Sequence, residues 1–115
     1  MDYAFYQNVY QGDSLPPAQF DRLAARAEDV LQRLERVYVV KGEQEARQKA
    51  VCAMADALYF FEQADAARLA GSVKVGQTSA SHTNATLPDT SPAAQSSELY
   101  RCAGLYLEIF RGCGG

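Results

Sequence analysis

Val51-Cys52-Ala53-Met54-Ala55-Asp56-Ala57-Leu58-Tyr59-Phe60-Phe61 is apolar or small at every position except Asp56. A helix that is greasy on nearly all sides has to be covered on nearly all sides. Ala46, Ala50, Ala53, Met54, Ala57, Leu58 and Phe61 form one stripe along it, and Tyr59 and Phe60 stand off that stripe. Two coverings are open. Other helices of the same chain bury the segment, or part of it packs against another subunit, and in the second case Tyr59 and Phe60 are the residues left over for the contact.

Working outward, the segment belongs to a long helix from about Glu43 to Leu69, ending before Gly71. Upstream, Pro16 and Pro17 are tolerated only where a helix opens. Phe20, Leu23, Ala24, Ala27, Val30, Leu31, Leu34 and Tyr38 then recur at three- and four-residue steps, so a first long helix spans Leu15 to about Tyr38. Its opposite face, Arg22, Arg26, Asp29, Arg33 and Arg36, reads as solvated, with pairs expected at Arg26–Asp29 and Asp29–Arg33. Val39 to Gly42 is a short connection. Tyr3, Tyr6 and Tyr10 share helical spacing, so Tyr3 to Tyr10 is either a short helix ended by Gly12 or an extended arm.

Downstream, Gly71 to Ala94 is rich in Ser, Thr, Gly and Asn, with Pro88 and Pro92 as breakers. Val73 and Val75 alternate with Ser72 and Lys74, and Thr78 to Ser81 follow a turn at Gly76 and Gln77, which fits a small hairpin or an extended loop. A last helix runs from Ser96 or Ser97 to Phe110, its inward stripe Leu99, Cys102, Ala103, Tyr106 and Phe110 widened by Leu105 and Ile109; residues 111–115 read as a frayed tail. The expected fold is mainly α: a small bundle of three long helices plus a short N-terminal helix, with an extended loop or small β-hairpin between the second and third long helices.

At 115 residues the chain suits one domain. A net charge of -3, from 11 basic and 14 acidic residues, offers no basic field for gripping a nucleic-acid backbone. Three cysteines, Cys52, Cys102 and Cys113, are odd in number and scattered, which fits a reduced cytoplasmic chain better than a disulfide framework. Met1 to Tyr10 lacks a basic start and a greasy run, so no signal peptide is expected. No stretch approaches the roughly 20 apolar residues of a membrane span, and a soluble protein is expected.

Chemistry is sparse in the sequence. His82 has no Cys, Asp or Glu at ligand spacing, and with Cys52 and Cys102 it falls short of the about four ligands a zinc site needs. Cys52 and Cys102 sit among apolar residues and read as core; Cys113 has no base beside it. Gly76 to Ser81 lacks the lysine and glycine spacing of a phosphate loop. Asp56, Glu62, Asp65 and Glu98 form no obvious acid pair apart from the Glu62–Asp65 step near a helix end, which reads as solvent-facing, and Asp56 is expected at a helix interface or edge. The chain is read as a non-enzyme without metal or cofactor. Convergence of Asp56, His82 and Cys102 in one pocket would reopen that reading.

The order of features is similar to that of a known group. The Tyr-rich start, the Leu15-Pro16-Pro17-Ala18-Gln19-Phe20 opening with Leu23 and Ala27, the helix with Ala50, Cys52, Ala53, Ala55 and Asp56, the Val75-to-Ser81 segment and the closing Ala103-Gly104-Leu105-Tyr106 resemble the small head-to-tail connector (adaptor) proteins of tailed bacteriophages and prophages. The likeness spans most of the chain. What it implies is a structural ring subunit at the virion head–tail junction, assembled in the bacterial host cytoplasm. The ring joins the portal protein to the tail-completion proteins, and DNA passes through without specific binding. By this resemblance Val73, Val75, Gly76, Thr78, Ser79 and Ser81 are the loop contacts to a neighbour or the portal. The competing reading is a small helical protein-binding or regulatory module acting as a homodimer through the exposed side of the second long helix.

Overall fold

The computed structural model describes residues 2–73 and 89–111, the side chains of 70–73 and 111 excepted. It is a mostly helical domain: α1 (Tyr3–Asn8), α2 (Pro17–Val37), β1 (Tyr38–Lys41), α3 (Gln44–Val73), α4 (Pro92–Tyr106) and β2 (Glu108–Arg111). The two long helices have 21 and 30 residues and α4 has 15. α3 is the central element, packed against both α2 and α4.

The greasy run does what its composition requires. Ala50, Val51, Cys52, Ala53, Met54, Ala55, Ala57 and Phe61 are all buried, with Leu58 and Tyr59 partly so. From α2 come Phe20, Leu23, Ala24, Ala27 and Leu31, and from α4 come Leu99, Cys102 and Ala103. Burial within the chain therefore accounts for most of the run. Small residues let the helices approach closely, and each large apolar side chain removed from water contributes about 1.5–3 kcal/mol.

α1 opens on Asp2, whose carboxylate accepts from the Phe5 backbone N–H at 3.0 Å. Its rings interlock across the entry of α2: Tyr3 stacks on Tyr6, and Phe20 meets both at 5.4 and 5.6 Å between centroids. Gln11 takes a positive φ of 64° to turn the chain, and Gly12 lies where a side chain would strike the Tyr6 ring.

Several boundaries differ from the sequence expectation. α3 continues through Gly71 and Ser72 to Val73, so 71–73 are helical and not a strand or loop. One glycine costs a helix about 1 kcal/mol against alanine and need not end it. Pro92 does not break structure either; it is the first residue of α4, behind Ser91, whose hydroxyl accepts from the Ala94 N–H. Residues 92–94 are thus helical as well.

α4 stops at Tyr106, and Glu108–Arg111 form a strand where a continuing helix and a frayed tail were expected. β2 pairs antiparallel with β1, in the register Tyr38↔Arg111, Val39↔Phe110, Val40↔Ile109 and Lys41↔Glu108. The expected connection at Val39–Gly42 is therefore mostly strand. Tyr106 and Phe110 consequently leave the inward stripe and are 37% and 48% exposed, while Leu107 is buried in their place. The proposed hairpin at Val75–Ser81 lies outside the described residues.

The solvated face of α2 makes its ion pairs across the interface and not along the helix. Arg22 donates twice to Glu62 of α3 at 2.8 Å, and Arg47 of α3 forks onto Glu35 at 2.9 Å while also reaching Glu28. The expected Arg26–Asp29 and Asp29–Arg33 pairs are not formed among the described residues.

Candidate functional site

One acid inside an apolar helix demands a partner. Asp56 finds it in Tyr6, whose hydroxyl donates to Oδ1 at 2.7 Å. The Tyr6 hydroxyl oxygen in turn accepts from the backbone N–H groups of Leu15 at 2.8 Å and Ser14 at 3.1 Å. Its single proton and both lone pairs are used, so a fully buried ring is anchored at its polar end. Burial raises the Asp56 carboxyl above its ordinary range, and hydrogen bonds from Tyr6 and Tyr10 oppose the rise. Burial also pushes both tyrosine hydroxyls far up, so they stay protonated donors. Asp56 thus lies at the α1–α3 interface, as expected from its position.

From Asp56 a groove of about 670 Å³ opens between α3 and α4. Ala53, Ala57 and Phe61 supply its apolar lining on α3, and Cys102 lines it from α4. Phe60 and Leu105 stand in it 53% and 58% exposed. Asp56, Asp89 and Glu98 give it carboxylates, and Arg101, held by Glu98 at 2.6 Å, gives it a cation. Leu105 was expected to widen the inward face of its helix; it faces the groove.

Two members of the set that would reopen an enzymatic reading, Asp56 and Cys102, do line this groove; His82 lies outside the described residues. Chemically the pair is poorly suited to nucleophilic work. Burial, followed by the Glu98 charge, pushes the Cys102 thiol up to about 11, and its Sγ–H points to Glu98 at 3.6 Å. A reactive thiolate needs the opposite surroundings. Cys52, on α3, is fully buried and its thiol is pushed up to about 12, by burial first and by Asp56 second. Among the described residues no group of three or more His, Cys, Asp or Glu side chains could hold a metal ion, and no helix is long and apolar enough to cross a membrane.

The interface residues read from sequence separate clearly. Phe60 is exposed in the groove, while Tyr59 is half-buried against the core. Val73 ends α3; Val75, Gly76, Thr78, Ser79 and Ser81 lie outside the described residues, as does Cys113. Glu62 and Asp65 are engaged separately: Glu62 is taken by Arg22, and Asp65 accepts from Thr90, which also receives Arg68, tying the end of α3 to the entry of α4. Sequence reading missed the Tyr6–Asp56 bond and the Leu105–Glu98 side of the groove. The lone acid in an apolar run was the available signal for the first; nothing local marked the second, which needs the α3–α4 packing.

Compared with family models, curated proteins and solved structures, the chain matches none.

Proposed function

We propose that this chain is a structural subunit of an assembly, of the kind that forms the ring between the portal and the tail-completion proteins of a phage particle. The observation that carries the reading is the open groove between α3 and α4, where Phe60 and Leu105 keep more than half of their surfaces in water beside the buried stretch Ala50–Ala55 of α3. Large side chains exposed together in a concave apolar surface mark a place where another protein sits. The order of sequence features quoted above supplies the kind of assembly, and a net charge of -3 suits a channel through which DNA slides without adhering. The protein works at the head–tail junction of the virion after assembly in the host cytoplasm, and its role is architectural, not catalytic.

The test is mass measurement across a concentration series, with electron-microscope imaging of any large species, both alone and with a purified portal ring. Rings, alone or seated on the portal, are the expected result. A closed homodimer that never forms rings in either setting supports the competing dimeric module and sinks the connector reading.

A further inference from the structure

The groove has a counterpart on the same molecule. At the carboxyl end of α2, Arg33, Arg36 and Val37 lie on adjacent turns, all exposed, with Val37 at 63%. Among the described residues neither Arg33 nor Arg36 forms an ion pair, in contrast to Arg22 and Arg47. This ridge is basic around one apolar side chain. The groove is apolar between Phe60 and Leu105, and its three carboxylates outnumber its single guanidinium, which Glu98 already holds. The two patches share no residue and come from different elements.

We infer that the groove is covered by a second copy of this chain, whose Arg33–Arg36–Val37 ridge seats between Phe60 and Leu105 with its arginines facing Asp89 and Glu98. The occupant is argued from charge and shape class together: opposite sign, and one exposed apolar knob for one open apolar slot. Because knob and slot are unlike patches, each bound copy still presents one of each, so the contact repeats head to tail and can close into a ring. The inference rests on the structural-subunit reading and adds the surfaces to it. Exposed charge steers the encounter, so added salt weakens the association.

Two doubly substituted chains test it by sedimentation velocity at low and high salt, with circular dichroism to verify helix content. One carries Arg33→Glu with Arg36→Glu, reversing the ridge; the other carries Glu98→Lys with Leu105→Lys, reversing the groove. Asp56 and Asp89 are left alone, since Asp56 holds Tyr6 and Asp89 accepts from the Ser91 N–H at the head of α4. Wild type is expected to grow past the dimer with concentration, and each reversed chain to associate about a hundredfold more weakly. An equimolar mixture is expected to regain association, because the intact groove of one meets the intact ridge of the other; that recovery also shows that the variants are folded.

A wild-type chain that stays monomeric to its solubility limit overturns the contact, and one that stops at a dimer overturns its head-to-tail arrangement. Rings formed equally well by wild type and both reversed chains overturn the contact while the connector reading stands. Absence of rings on a portal, with head-to-tail growth in solution intact, does the reverse.

Discussion

Tyr6 and Asp56, fifty positions apart, meet through a 2.7 Å hydrogen bond that fastens α1 and the turn after it to the middle of α3. The consequence is that a six-residue helix, too short to persist alone, becomes part of the core. The bond also fixes where the Tyr6 ring lies, and with it what can stand beside the ring.

Gly12 is the residue beside it. A Cβ there would come within 2.4 Å of the ring atoms Cε1 and Cζ, and the ring is held by three hydrogen bonds and cannot retreat. Gly12→Ala is expected to destabilise the fold by about 1–3 kcal/mol, the usual cost of overpacking. Urea unfolding measures it. Combining it with Tyr6→Phe, which frees the ring's polar end, should give less than the sum of the two single losses.

Asp56 gives a pH-dependent prediction. Its folded carboxyl pKa is raised, so the native state holds its proton more tightly than the unfolded state does. Stability from this group is therefore greatest below the unfolded value near 3.8, falls as pH rises toward the raised native value, and is flat above it. Asp56→Asn keeps an acceptor for Tyr6 and removes the charge, so its stability relative to wild type should improve between acid and neutral pH. Asp56→Ala strands the Tyr6 proton and should cost about 1–3 kcal/mol. Denaturant titrations at several pH values separate the two; an Asn variant that tracks wild type at every pH would contradict the burial argument.

Arg47 joins two glutamates of α2 through a forked contact and is mostly covered, whereas Arg22 is half-exposed. Arg47→Ala is expected to cost about 1 kcal/mol or somewhat more, since bidentate networked pairs exceed isolated surface ones. Arg22→Ala should cost less. Hydrogen bonding from Arg47 holds the Glu35 carboxyl below its ordinary range, so this stability is present above the unfolded value near 4.5 and is lost as pH falls through the lower native one. Thermal unfolding of Arg47→Ala and wild type should therefore converge in acid.

Gly104 sits within α4 with nothing within 4 Å of where a Cβ would stand. Gly104→Ala is expected to stabilise the chain by about 0.5–1 kcal/mol through helix propensity alone. The shift in the denaturant midpoint reads this directly. Because the residue precedes Leu105, the same variant should be assayed for self-association: stabilisation with weakened association would place Gly104 under the covering chain.

The stretch Val51–Phe61 was legible because covering on all sides is written into its composition, and α2 was legible because its apolar steps match one helix face. The ends of α3 and α4 were not. Gly71 and Pro92 each carry two meanings, breaker or tolerated guest, and only the cap at Ser91 and the packing beyond decide between them. The strands were hidden for a different reason. Tyr38–Lys41 and Glu108–Arg111 are four residues each, and their stabilising partner is far away in sequence, so local periodicity favoured a helix for the second. Of the groove, Phe60 was visible as a residue off the stripe, while Leu105 was assigned to the wrong side because the inward face of α4 was drawn through Phe110.

The β1–β2 ribbon also bears on how quickly the chain can fold. α2 and α3 are neighbours joined by a few residues, so their pairing closes a short loop; the ribbon joins the end of α2 to residues beyond α4 and must close a much longer one. Loop-closure entropy puts that step late. Substitutions at Val40 and Ile109, a cross-strand pair partly packed on the core, should then speed unfolding and leave the folding rate nearly unchanged, making the ribbon a latch on the lifetime of the native state and not on the speed of reaching it.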